Sequence, residues 1–406
     1  MKLPAAPWRT RGGMHRLLAA LGSTEGQTRF VGGCIRDTLL GLPVSDVDLA
    51  TRLQPTEVMD RLKRARIRAV PTGIAHGTVT AVLEDGPVEV TTLRRDVSTD
   101  GRRATIAYTE DWKEDASRRD FTINAFSADP ESGEIFDYFL GEADLEARRL
   151  RFIGDPLTRI AEDHLRILRF FRFHARFGRG EPDPAALDAC TARANDLMAL
   201  SRERIADELL KLLALPDPTP TIKLMVERGI FSPVLPEFAT TGVARLAELV
   251  RREQEARETP EPLRRLAALL PPDGSLAASV AARLRLSKKA AKRLVAAAGR
   301  GDDRAEKPRA LAYRLGTEEA VDRLLLSAEA PETVAAEVAA LRAWDLPRFP
   351  LSGADIIAMG LVPGPVVART LQAIEREWMA GGFSLDPESV RTLARAHVDQ
   401  ALRDGC

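Results

Sequence analysis

Cysteine is nearly absent from this 406-residue chain: Cys34, Cys190 and Cys406 are its only three, far apart and odd in number. Such a set supports neither a disulfide framework nor a cysteine-rich metal site, and it suits a reducing compartment. No stretch approaches the ~20 apolar residues of a membrane span. The opening MKLPAAPWRTRGG has no apolar core of signal-peptide length. These absences predict a soluble, cytoplasmic protein with no membrane partner. Net charge is missing as well, because Lys+Arg and Asp+Glu both number 59. Bulk charge therefore does not announce a nucleic-acid partner, which would require basic residues segregated onto one surface. What is present is globular in kind, 45% hydrophobic and 29% charged. The length allows two or more domains.

The first part of the chain reads as mixed α/β. RFVGG predicts a strand ending in a double-glycine turn, CIRDTLLG a helix closed by Gly41, and VDLAT a second strand. Pro55 starts a helix over PTEVMDRLKRAR. GTVTAVLE and VEVTTL predict strands joined by the turn EDGP. Farther on, Ala, Leu and Arg dominate and apolar residues recur at helical spacing. RIAEDHLRILRFFRFHARFG, RERIADELLKLL and SLAASVAARLRLSKKAAKRLVAAAG are examples. PDPTP and PPDG punctuate these helices.

Candidate chemistry begins at Ser45-Asp46-Val47-Asp48-Leu49. On a strand, Asp46 and Asp48 share one face, with Val47 and Leu49 packed behind. Two adjacent carboxylates repel unless a cation lies between them, and hard oxygen donors suit Mg²⁺. Metals held this way activate a hydroxyl and steady a departing pyrophosphate. Alone, an Asp-x-Asp is equally an acidic turn. Upstream, Gly32 and Gly33 lie between a strand and a helix start, where free N–H groups attract phosphate. Arg36 either adds a phosphate contact or pairs with Asp37 or the aspartates.

VGGCIRDTLLGLPVSDVDLAT resembles the nucleotidyltransferase signature of the class II tRNA CCA-adding enzymes and bacterial poly(A) polymerases. Four further segments resemble that family's motifs, in order. They are Arg118-Arg119-Asp120-Phe121-Thr122-Ile123-Asn124, Asp137 through Leu145, Glu162-Asp163-His164-Leu165-Arg166, and Ser201-Arg202-Glu203-Arg204-Ile205 through Leu209. The resemblance implies an α+β fold. A polymerase-beta-like nucleotidyltransferase head on a mixed sheet (1–150) is followed by a helical neck (151–215), body (216–345) and tRNA-binding tail (346–406). It implies CMP, CMP and AMP addition to the tRNA 3′ end from CTP and ATP, with Mg²⁺ as cofactor and pyrophosphate released. It makes Glu89 a third carboxylate beside Asp46 and Asp48. Arg119, Asp120 and Asn124 become ribose contacts, and Asp163 with Arg166 the base-selecting pair on a helix.

That pair has a physical logic. Three apart on a helix, Asp163 and Arg166 are neighbours, one offering only acceptors and the other only donors. Cytosine and adenine each set an amino donor beside a ring acceptor. Uracil and guanine reverse that polarity and leave groups unpaired, at ~1–3 kcal/mol each. A plain i,i+3 ion pair is the alternative. On the same stretch Phe170, Phe171, Phe173 and Phe177 suit a core, while Arg169, Arg172 and Arg176 either line a substrate path or face solvent.

The polar segment from Thr99 to Trp112 falls where the family has a flexible loop, and Thr72 to Val79 is similar to the CCA-adding form rather than the poly(A) form. Lys288, Lys289, Lys292 and Arg293 form a basic helical stretch, suited to RNA phosphates or to a solvated face. Leu351 through Pro365 resembles a C-terminal element of many CCA-adding enzymes. The competing readings are a poly(A) polymerase, a partial C- or A-adding enzyme, and an RNA-binding protein on an inactive head.

Overall fold

The computed structural model describes residues 1–99, 104–299, 307–383 and 386–404. It divides into two units, Met1–Thr240 and Thr241–Cys406. In the first unit the strands are β1 (Thr28–Val31), β2 (Asp48–Thr51), β3 (Arg68–Gly73), β4 (Thr78–Leu83), β5 (Gly86–Thr92), β6 (Arg94–Thr99), β7 (Ala104–Tyr108), β8 (Ser127–Ala128) and β9 (Ile135–Phe136). Seven form one sheet in the order β3-β4-β5-β2-β1-β8-β9. Only the β2–β5 neighbours run parallel, so the sheet is mixed. Strand alternation sends Val79, Ala81, Val88 and Val90 inward while Val82 and Glu89 face out. The turn EDGP joins β4 to β5 as the sequence predicts.

Helices α1 (Met14–Ala20), α2 (Gly33–Leu39), α3 (Pro55–Arg64), α4 (Trp112–Ser117) and α5 (Gly141–Glu146) accompany the sheet. Pro55 occupies the first turn of α3, whose last turn carries Arg61, Lys63 and Arg64, the favourable end for cations. The segment expected as a loop forms the hairpin of β6 and β7 on either side of residues 100–103, which lie outside the described residues.

The unit continues as helices α6 (Pro156–Glu162), α7 (Arg166–Phe177), α8 (Pro184–Ala192), α9 (Arg202–Leu213) and α10 (Thr219–Glu227). Phe170, Phe171, Phe173 and Phe177 of α7 are buried, the core role expected of them. Phe121 packs on Phe152 and Phe173, and Phe152 stacks on Phe170, fastening α7 to the chain around residue 120.

Every regular element of the second unit among the described residues is a helix. They are α11 (Thr240–Glu255), α12 (Pro262–Leu269), α13 (Gly274–Arg283), α14 (Lys288–Ala298), α15 (Pro308–Leu315), α16 (Thr317–Leu325), α17 (Pro331–Arg342), α18 (Gly353–Ala358), α19 (Pro365–Ala380) and α20 (Pro387–Asp404). Four of them meet around buried charge. Arg264 and Arg265 of α12 both bond Glu253 of α11 at 2.8 Å, and Arg264 also reaches Asp322 of α16. Arg293 of α14 bonds the same Asp322 at 2.7 Å and Glu261 at 3.1 Å. This corrects the expectation for Arg293: its guanidinium is spent inside the unit, while Lys288, Lys289 and Lys292 stay exposed. No helix among the described residues is long and apolar enough to cross a membrane.

Candidate active site

A cleft of about 480 Å³ in the first unit gathers Gly32, Gly33, Arg36, Asp46, Asp48, Arg119, Asp120, Asn124, Asp163 and Arg166. Ten of the expected site residues, spread over more than a hundred positions, thus face one space. Glu89 is not on that wall. It is exposed on β5, directly across from Asp48 in the parallel register.

Gly32 closes β1 and opens α2. Its φ is +77°, a conformation strained for any other residue, and a Cβ there would stand 2.8 Å from Arg119 Nη1 and push that guanidinium aside. Asp48 begins β2, but Asp46 precedes the strand. Two carboxylates on one strand face were expected; instead one is on the strand and one on the loop feeding it. Val47 and Leu49 are buried behind them as predicted. Asp46 is exposed and accepts from Ser45 Oγ at 2.7 Å. Burial pushes the Asp48 carboxyl up to about 6; Arg119 opposes this, and the charges of Glu89 and Asp46 add to it.

Arg36 is buried and donates to Asp37 at 2.8 Å and to Asn124 Oδ1, with its guanidinium 4.1 Å over the Phe177 ring. Of the readings open for it, pairing with Asp37 is the one observed. Asp120 is a hub in the cleft wall. Its Oδ1 accepts from the Phe121 amide (2.8 Å) and Asn124 Nδ2 (2.9 Å), and its Oδ2 from Arg169 Nε and Nη2 (2.8 and 2.6 Å). Burial alone would raise this carboxyl, but Arg169 and the Asn124 and Phe121 donors hold it below the usual range. Arg172 and Arg169 share Glu208 of α9, and Arg176 lies 3.6 Å from Asp37. None of the three α7 arginines is simply solvated, and Arg169 and Arg176 line the cleft.

The expected single helix through Asp163 and Arg166 is broken. Glu162 ends α6, Asp163 is extended (φ −151°), and Arg166 starts α7. The Asp163 carboxylate takes the Leu165 amide at 3.1 Å, and its carbonyl takes the Arg166 amide at 3.0 Å. A short polar side chain has competed successfully with the helix for backbone donors. The pair is therefore not an i,i+3 couple on one helical face. Both residues flank a corner, and both still line the cleft. Arg166 is fixed by Glu162 Oε2 (2.5 Å) and the carbonyls of Arg159 (2.8 Å) and Arg118 (3.1 Å). Asp163 is held by Arg204 of α9 at 2.8 Å.

Residues 28–151 match the family described as the Poly A polymerase head domain. Residues 181–241 match a probable RNA and SrmB-binding site of polymerase A. The mitochondrial CCA tRNA nucleotidyltransferase 1 of Mus musculus is 33% identical over 93% of this chain and 88% of its own. The chain belongs to the CCA tRNA nucleotidyltransferase family. A CCA-adding enzyme of Limosilactobacillus fermentum is 30% identical over 89% of this chain and 90% of its own. The crystal structure of the Bacillus stearothermophilus CCA-adding enzyme in complex with CTP shares the fold. Its TM-score is 0.70 at 24% identity, covering 97% of this chain and 99% of that one.

The sequence set Arg204 and Glu208 in a family-like motif without their pairings to Asp163 and Arg172, and it did not single out Arg159. The arginine spacing on α7 was a usable signal for Glu208, since residues 169, 172 and 176 share one face and require a carboxylate opposite.

Proposed function

We propose that this chain completes the tRNA 3′ end with C, C and A, using CTP and ATP, and that the cleft is where it does so. The observation that carries the reading is convergence. The acidic pair Asp46 and Asp48 and the base-complementary pair Asp163 and Arg166 face the same space. One pair suits nucleotidyl transfer and the other suits choosing a base.

Members of this family generally use divalent metal ions. Among the described residues no three His, Cys, Asp or Glu side chains are grouped to hold one by themselves. The donor set nevertheless fits Mg²⁺, which binds through one or two carboxylates and completes its shell with water and substrate phosphate. The raised Asp48 carboxyl, beside Asp46 and Glu89, is a charge cluster that such a cation relieves. Bound there, Mg²⁺ supplies activation of the tRNA 3′-hydroxyl and neutralises charge on the departing pyrophosphate.

The chain's own residues do the rest. Asp46 and Asp48 are the residues that would hold the cation, with Glu89 adding negative potential from the adjacent strand. Gly32 and Gly33 let backbone approach the triphosphate, and Arg36 and Arg119 add positive charge to that wall. Asn124, oriented by Asp120, faces the ribose. Asp163 accepts from the amino group of cytosine or adenine, and Arg166 donates to the neighbouring ring nitrogen. Preorganised charge and positioning account for the rate. Lys288, Lys289 and Lys292 contribute to holding RNA phosphates. The division into head, neck, body and tail belongs to the same proposal. So does a cytoplasmic setting, which the buried free thiols of Cys34 and Cys190 suit.

The test incubates the protein with Mg²⁺, four nucleoside triphosphates and a tRNA transcript lacking its last three nucleotides, then sequences the 3′ ends. Ends that stop at CCA are expected. A long A tail makes the chain a poly(A) polymerase, C or A alone makes it a partial enzyme, and no extension leaves an RNA-binding protein.

A further inference from the structure

We propose that Arg204 is the positioning residue that aims Asp163 at the incoming base. This rests on the reading of Asp163 and Arg166 as the base-selecting pair. The break between α6 and α7 creates the need. Asp163 sits at a corner in extended conformation, so no helical turn fixes its side chain. One carboxylate oxygen is tied to the Leu165 amide at 3.1 Å, and the other accepts from Arg204 Nη2 at 2.8 Å. The local bond alone leaves the carboxylate free to swing about it; the second bond, from another helix, removes that freedom.

Arg204 comes from the first turn of α9, which is anchored independently. Ile205 and Leu209 are buried, and Glu208 of α9 is buried against Arg172 of α7 at 2.6 Å. Asp163 lines the cleft and Arg204 does not. Arg204 thus acts on the base through Asp163. Its partner Arg166 is fixed by different groups, Glu162 and the carbonyls of Arg159 and Arg118. Donor and acceptor of the selecting pair are therefore set separately, the acceptor from α9.

The chemistry gives the consequence a direction. A carboxylate offers acceptors only, matching the amino group of cytosine or adenine when it is aimed at that group. Without Arg204 the carboxylate can turn from the cleft. That reorientation removes the penalty on the carbonyl that uracil and guanine present at that place. Selection is weakened in favour of uracil and guanine.

The experiment compares full-length wild type, Arg204→Met, Arg204→Lys and Asp163→Ala on tRNA lacking CCA, measuring kcat/KM for CTP and UTP separately. We expect the CTP-over-UTP preference to fall on the order of a hundredfold in Asp163→Ala and on the order of tenfold in Arg204→Met, with Arg204→Lys recovering part. A wild-type ratio in Arg204→Met, while Asp163→Ala loses selection, overturns the proposal and leaves the base-selecting pair standing. An equal loss of both rates in Arg204→Met at an unchanged ratio marks a purely structural role and overturns it too. A wild-type ratio in Asp163→Ala removes the underlying reading and the proposal with it. Should Arg204→Met fail to fold, the ratio in Arg204→Lys decides: a value between wild type and Asp163→Ala supports the proposal, and the wild-type value overturns it.

Discussion

Both units of this protein bury arginine against carboxylate, to different ends. In the second unit Arg264 and Arg265 are 1% exposed and close on Glu253 and Asp322, themselves 1% and 0% exposed, so the charge is consumed inside the helices. In the first unit Arg166, Arg169 and, at 3.6 Å, Arg176 are also paired, yet each still borders the cleft. Arg166 spends three of its five N–H donors on named partners. The same chemistry is architecture where it closes on itself and cleft wall where it stops short. Buried pairs are costly to desolvate and damaging to break, so the two networks respond differently to mutation.

The largest separation is expected at the carboxylates of the cleft. Asp48→Asn lowers single-turnover extension of tRNA by about 10³-fold or more, since the charge that attracts the cation is gone. It should not destabilise the protein. The folded Asp48 carboxyl is raised, so without divalent ion the wild type loses stability as pH climbs from the usual carboxylate range through about 6. The asparagine variant escapes that loss, and thermal melts across this window check it. A variant both inactive and less stable there erases the contrast.

Next comes Arg264→Met, which leaves Glu253 to Arg265 alone and Asp322 to Arg293 alone and should cost ~3–5 kcal/mol in urea unfolding. A cost below about 1 kcal/mol would mean that the second network is not what holds α11, α12, α14 and α16 together. Arg169→Met is the matched change in the first unit. It frees the Asp120 hub, and about tenfold in kcat/KM should be lost for a smaller stability cost than at Arg264. Stability losses of equal size at the two sites would collapse the distinction. The smallest effect belongs to Lys289→Ala, where tRNA affinity should fall by less than ~1 kcal/mol while the slope of log K against log salt drops by about one. An unchanged slope assigns that lysine to solvent alone.

Much of the head was legible because its signals are local. Strand alternation, the Gly32-Gly33 turn and Pro55 at a helix start act within a few residues, and the order of motifs carried the family. The corner at Asp163 was not legible. The helical periodicity of RIAEDHLRILRFF runs through it unbroken, and what breaks the helix is one carboxylate preferring the Leu165 amide and Arg204, 41 residues away. Arg293 was misjudged for a related reason. A run of Lys and Arg looks solvated until Asp322, 29 residues on, takes one member inside.

By itself the sequence determined the mixed-sheet head, the helical remainder and which residue types carry the chemistry, because propensity, periodicity and hydrogen-bonding inventory are properties of short segments. Only the tertiary structure decided which charges neutralise one another and which face the cleft. An ion pair joins whatever the fold brings within about 4 Å, and no local rule specifies a partner supplied by another helix.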